Sequence, residues 1–105
     1  MNLFTWLNTQ RRWSFETFGR GPRTEGNLKH IEKEIEEIRD CPDSLEEWCD
    51  IVMIALDGAQ RAGHTPYAIC RQLERKQHIN RFERKWPKPI DGEPVEHIRE
   101  EGEAS

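Results

Sequence analysis

Apolar residues recur along this chain at three- and four-residue intervals, in four blocks separated by glycine, proline and small polar residues. Leu3, Phe4, Trp6, Leu7 and Trp13 predict a first short helix over Leu3 to Trp13, and Phe18-Gly19-Arg20-Gly21-Pro22 reads as the loop after it. Leu28, Ile31, Ile35 and Ile38 form the stripe of a second helix over about Asn27 to Arg39. A third helix starts at Asp43 or Ser44, with Leu45, Trp48, Cys49, Val52, Met53 and Leu56 on one side and Ile51, Ile54 and Ala55 on the other. So much of its circumference is apolar that it belongs at the centre of a bundle or at a subunit interface. Arg61-Ala62-Gly63-His64-Thr65-Pro66 predicts a glycine stop, a Thr65 N-cap and Pro66 at the first position of a fourth helix reaching about Trp86.

The fold class that follows is all-α, a small bundle of about four helices whose core is completed by homo-oligomerisation. Residues 1–87 form the domain, and 88–105 read as an acidic, Pro/Gly-containing, poorly ordered tail. Composition adds to this picture. The 105 residues are 34% hydrophobic and 34% charged, which leaves each helix a thin apolar face. A net charge of -4 argues against a general nucleic-acid binder, although bases dominate Arg71 to Lys85 while acids dominate Glu32 to Asp57. Cys41, Cys49 and Cys70 lack metal-finger spacing and are odd in number, as expected of reduced thiols in a cytoplasmic protein. The longest apolar run, Ile51 to Leu56, is far too short to cross a bilayer.

Charge placed inside the apolar blocks is the candidate chemistry. Glu34 with Glu37, and Glu47 with Asp50, are pairs three residues apart, hence on one helix face. The short Cys41-Pro42-Asp43 connection favours antiparallel helices whose pairs face each other. Clustered carboxylates repel unless a cation lies between them, and Mg²⁺ suits an all-oxygen set. Periodicity alone leaves Glu32/Glu36 open as the alternative pair on the second helix, or a solvated face balanced by Lys33 and Arg39. Asp50 and Asp57 stand among apolar residues and need a metal or a buried base. Glu47 has a competing role, because Ser44-x-x-Glu47 is a capping box. Trp13, Phe15 and Phe18 either finish the core or form a base-stacking wall, and Lys76, Asn80 and Arg84, four apart, form a polar stripe. His30 and His64 read as structural or surface residues.

Lys33-Glu34-x-x-Glu37, Glu47-Trp48-x-Asp50, Asp57-x-Ala59-x-Arg61-Ala62-Gly63, and Lys76-x-x-x-Asn80 with Trp86-Pro87 together resemble the MazG-like all-α nucleoside triphosphate pyrophosphohydrolases. Within them the pattern is most similar to the dATP/dGTP pyrophosphohydrolase branch of phages and bacteria, including MazZ-type enzymes that supply dGMP for 2-aminoadenine genomes. The resemblance spans Gln10 to Pro87, with a shorter gap between the acidic pairs than the broader pattern has. It implies Glu34, Glu37, Glu47 and Asp50 as Mg²⁺ ligands (Mn²⁺ substituting) and catalytic residues. Lys76, Asn80 and Arg84 would meet the phosphates. Trp13 and Phe18 would stack on the base, and Gln10 or Asn80 would bond its edge. The implied reaction cleaves a purine dNTP, dGTP or dATP, to the monophosphate and pyrophosphate in a dimer or tetramer in the cytoplasm, that of the host if a phage encodes it. A second hypothesis of a different class is a small helical phage adaptor that binds a host protein through the third helix without catalysis.

Overall fold

A computed structural model describes residues 1–99. Four α-helices follow one another: α1 Leu3–Phe18, α2 Thr24–Asp40, α3 Leu45–Arg61 and α4 Pro66–His78, with a π-helical turn over Ile79–Glu83. Among the described residues there is no β-strand, only an isolated antiparallel bridge between Lys85 and Ile98. Among the described residues no helix is long and apolar enough to cross a membrane. The chain divides into two units, Met1–Cys70 and Arg71–Ser105.

In the first unit, Asn2 caps α1 by accepting a hydrogen bond from the Thr5 N–H at 3.1 Å. The helix runs five residues past Trp13, because Ser14 is buried against α3 and anchors the extra turn. Gly19, at φ 87°, then ends it. Likewise α2 begins at Thr24, ahead of Asn27. Gly26 and Asn27 are weak helix formers, yet the Asn27 side chain is held by α3, and that tertiary bond overrides local propensity.

The turn Cys41–Ser44 reverses the chain, and α2 and α3 pack antiparallel with α1 against α3. Ser44 is the N-cap of α3, but its side chain makes no cap bond. The capping box therefore does not form; Glu47 turns its carboxylate toward α2 instead. At the other end of α3 the expected stop is complete. Gly63 takes φ 106°, its N–H reaches the Gln60 carbonyl at 3.1 Å, and the His64 N–H reaches Ala59 at 3.2 Å, the paired bonds of a Schellman motif. Thr65 then caps α4 through the Ala68 N–H at 3.1 Å.

Leu7, Ile38 and Ile69 are the buried hydrophobic residues of the described chain, whereas Leu45 is 75% exposed and Trp48 and Val52 about half. The third helix is thus not enclosed by its own chain. Replacing Trp48 with glutamate removes the 2.8 Å bond from its indole N–H to the Pro42 carbonyl, but half of the side chain lies in solvent, so the helices are expected to persist and circular dichroism should show unchanged helicity.

In the second unit α4 stops at His78, not near Trp86. The Arg84 N–H bonds the Ile79 carbonyl five residues back at 3.0 Å, and the wider turn delivers the chain into an extended Arg84. Lys76 thus lies on α4, Asn80 in the π-helical turn and Arg84 just beyond it. Residues 88–99 of the expected tail include a turn around Asp91 and Gly92 and the 2.7 Å bond from the Ile98 N–H to Lys85. Trp86 and His97 meet edge to face with 5.9 Å between ring centres. The rest of the tail, 100–105, lies outside the described residues.

Candidate functional site

The antiparallel register of α2 and α3 decides which acids meet. Asn27 bonds Asp57, Glu34 and Asp50 line one cavity, and Glu37 meets Glu47; the paired numbers keep a constant sum. Glu34 is 5% exposed, whereas Glu32 lies in solvent and Glu36 pairs there with Arg39. The structure therefore turns Glu34 and Glu37 inward and the alternative pair outward.

Glu34, Glu37 and Glu47 each offer an oxygen within 4.8 Å of the others'. Glu34 Oε2 and Glu47 Oε2 are buried without a hydrogen-bond partner, and His30 Nε2 lies 3.4 Å from Glu34 Oε1. The hydrogen bond with Glu37, burial and the Glu34 carboxylate push Glu47 up to about 7. Glu37, which accepts the hydrogen bond from Glu47, is held below the usual carboxylate range. Such a set retains a proton at neutral pH or takes up a cation. Asp50 is outside this trio but lines the cavity beside Glu34, and makes no hydrogen bond or ion pair among the described residues.

That cavity, about 490 Å³, has the size of a small-molecule site. Gln10, Trp13 and Phe18 of α1 line it with Met53 and Ile54 of α3, and Trp13 and Phe18 meet edge to face at 5.5 Å. Both rings are about half exposed, so they form a rim and not a core. Phe15 is the one of the three aromatic residues that packs inward, under the Arg61 guanidinium at 5.2 Å. His30 and Arg23 also line the cavity, Arg23 lying 5.9 Å from the Phe18 ring centre. Nothing in the local pattern singles out either residue.

Opposite the acids the cavity is closed by a polar network. Asp57 accepts from Ser14 Oγ at 2.6 Å, Asn27 Nδ2 at 3.1 Å and Arg61 Nε at 2.8 Å. Asp57 thus has the buried base that was one of its two expected partners. Arg61, 3% exposed, also donates to the carbonyls of Gly19, Gly21 and Ser14 and to Ser14 Oγ. Burial alone would raise the Asp57 pKa, but the bonds from Ser14, Asn27 and Arg61 outweigh it and hold the group below its ordinary value. This interaction stabilises the fold above the unfolded carboxylate range and is lost as pH falls through the lowered value. Asp57→Asn should flatten the acid limb of a Tm-against-pH curve below about pH 4.

Lys76, Asn80 and Arg84 belong to the second unit. There Asn80 Oδ1 accepts from Arg84 Nη1 at 2.8 Å and its carbonyl accepts from Trp86 Nε1 at 2.7 Å, so the Asn80 amide keeps its N–H groups as donors. Lys76 is exposed.

A family model described as dATP/dGTP pyrophosphohydrolase matches residues 6–104. The chain belongs to this dATP/dGTP pyrophosphohydrolase family. One curated relative, the Eaa protein of Salmonella phage P22, is 41% identical over 63 residues, 60% of this chain. The chain spans only 20% of that relative's length. No solved structure matches it significantly.

Proposed function

We propose that this member of the dATP/dGTP pyrophosphohydrolase family hydrolyses a purine deoxynucleoside triphosphate, dGTP or dATP, to the monophosphate and pyrophosphate with Mg²⁺. The observation that carries the reading is the trio Glu34, Glu37 and Glu47, with two buried carboxylate oxygens that lack a partner, beside a cavity of nucleotide size. Those orphaned oxygens fit a hard divalent cation, and Glu34, Glu37, Glu47 and Asp50 would hold it, with Mn²⁺ a substitute. Bound there, Mg²⁺ supplies neutralisation of the triphosphate and a water of lowered pKa.

The chain's own residues do the rest. A carboxylate of Glu34 or Glu37 orients the attacking water and takes its proton. The new bond joins water oxygen to the α-phosphorus, the bond to the α,β-bridging oxygen breaks, and pyrophosphate leaves with that electron pair. Trp13 and Phe18 flank the base, with Gln10 beside them, and the cavity walls exclude bulk water from the reacting phosphate. Lys76, Asn80 and Arg84 are proposed phosphate contacts; Lys76→Ala should then raise KM more than it lowers kcat. If dGTP is the preferred substrate, the product suits a pathway that consumes dGMP, such as one building 2-aminoadenine DNA.

Incubation with each dNTP and Mg²⁺ tests the proposal: dNMP and pyrophosphate should appear in equal amounts from dGTP or dATP. Stepwise release of orthophosphate would overturn it. A second copy of the chain is the proposed cover for the Leu45, Trp48 and Val52 face of α3. Light scattering should report a dimer or tetramer that Trp48→Glu reduces to monomer. A monomer that nonetheless binds a host protein through this face would favour the adaptor reading.

A further inference from the structure

The amide of Asn27 is fixed in one orientation by its surroundings. Its Nδ2 hydrogens go to the Ile54 carbonyl at 3.2 Å and the Asp57 carboxylate at 3.1 Å, both acceptors that could not serve a flipped amide. Asp57 is itself held ionised by Ser14 and Arg61. What Asn27 has left is Oδ1, which accepts no hydrogen bond among the described residues, on a side chain that lines the cavity. Gly58 permits this arrangement: a Cβ there would lie 3.3 Å from Asn27 Nδ2.

The position along the helix matters as much as the orientation. Asn27 and Glu34 are seven residues apart on α2, about 10 Å along the axis at 1.5 Å per residue. That is roughly the span from an α-phosphorus to the far edge of its own purine. With the reacting phosphate at the acids, the base edge comes to Asn27, beside Trp13 and Phe18.

We propose that Asn27 determines base specificity, its locked amide oxygen accepting a hydrogen bond from a Watson–Crick-edge N–H of the purine, the adenine 6-amino group or the guanine N1–H and 2-amino group. This rests on the proposed function and names the group that reads its substrate. A site with a fixed acceptor rejects an analogue that has lost the matching donor, because the acceptor is then left desolvated and unpaired.

The experiment compares full-length wild type, Asn27→Ala and Gly58→Ala on dATP against 2′-deoxynebularine triphosphate, which lacks the 6-amino group, and on dGTP against 2′-deoxyinosine triphosphate, which lacks the 2-amino group. Wild type should lose about 10- to 100-fold in kcat/KM on at least one pair. Asn27→Ala should bring that ratio to about one, and Gly58→Ala, which only displaces the amide, should reduce it in part. A ratio unchanged by Asn27→Ala, or the absence of any discrimination by wild type, overturns the proposal. Calorimetric binding of the α,β-methylene analogues of dATP and dGTP and of their amine-lacking counterparts reads the same ratios without turnover. Discrimination in binding without pyrophosphate release would refute the hydrolytic reading alone, whereas no binding would refute both.

Discussion

Glu47→Gln should abolish pyrophosphate release and, at the same time, raise the melting temperature of the protein measured at pH 8 in EDTA. The two effects have one cause. Glu47 faces Glu37 and Glu34, and its ionisation is postponed to about pH 7, so above that pH the wild-type protein carries like charges at close range. A neutral amide of the same shape removes the repulsion and one anionic ligand together. Because the raised pKa makes ionisation unfavourable in the folded state, this contribution to stability falls as pH rises from the ordinary carboxylate value to about 7, then levels off. The stabilising effect of the substitution should therefore vanish near pH 4. Activity should fall by more than about 100-fold, as expected when a ligand to a catalytic cation is lost. Mg²⁺ should raise the wild-type Tm at pH 8 and raise that of the variant far less. Equal metal-induced shifts in the two proteins would remove Glu47 from the metal set.

Arg61→Ala should cost about 3–5 kcal/mol, the range for breaking a buried ion pair from one side. Against a total stability of about 5–15 kcal/mol that is enough to bring the domain close to unfolding. The loss is larger than a single ion pair on a surface would give. The guanidinium satisfies the Asp57 carboxylate, the Ser14 hydroxyl and three backbone carbonyls on α1 and the following loop, and all of them would be left short of a donor. Arg61→Lys should rescue little, because an ammonium cannot reach those points in their planar arrangement. Urea denaturation is the check: an Arg61→Ala midpoint within experimental error of wild type would mean the network adds nothing to stability.

Much of this architecture was readable from periodicity and punctuation. The Ser44 start, the Gly63 stop and the Thr65-Pro66 restart are local devices, and each sits where its residues predict. The structure departs from the local pattern where distant contacts overrule local preference. Ser14 extends α1 and Asn27 sits inside α2 because both are held by Asp57, a residue 43 and 30 positions away. The capping box failed for the same reason, since Glu47 meets Glu37 across the helix pair. The inward pair of acids on α2 was ambiguous by periodicity, because Glu34 and Glu32 flank the same apolar stripe; only the register with α3 distinguishes them. Asn27, Arg23 and His30 carried no signal, as single polar residues near a helix start look like surface. The π-helical turn after His78 was likewise unmarked, because Ile79 to Glu83 has an ordinary helical composition.

The constant register of α2 against α3 also says where this gene can change length. An extra residue between Asn27 and Glu34, or between Asp50 and Asp57, would rotate one end of the cavity about 100° away from the other. Residues 88–99 lie outside these two helices. Insertions scanned along the chain should therefore abolish function abruptly across both helices and be absorbed in the 88–99 segment, making reading-frame-preserving length variation a map of the site.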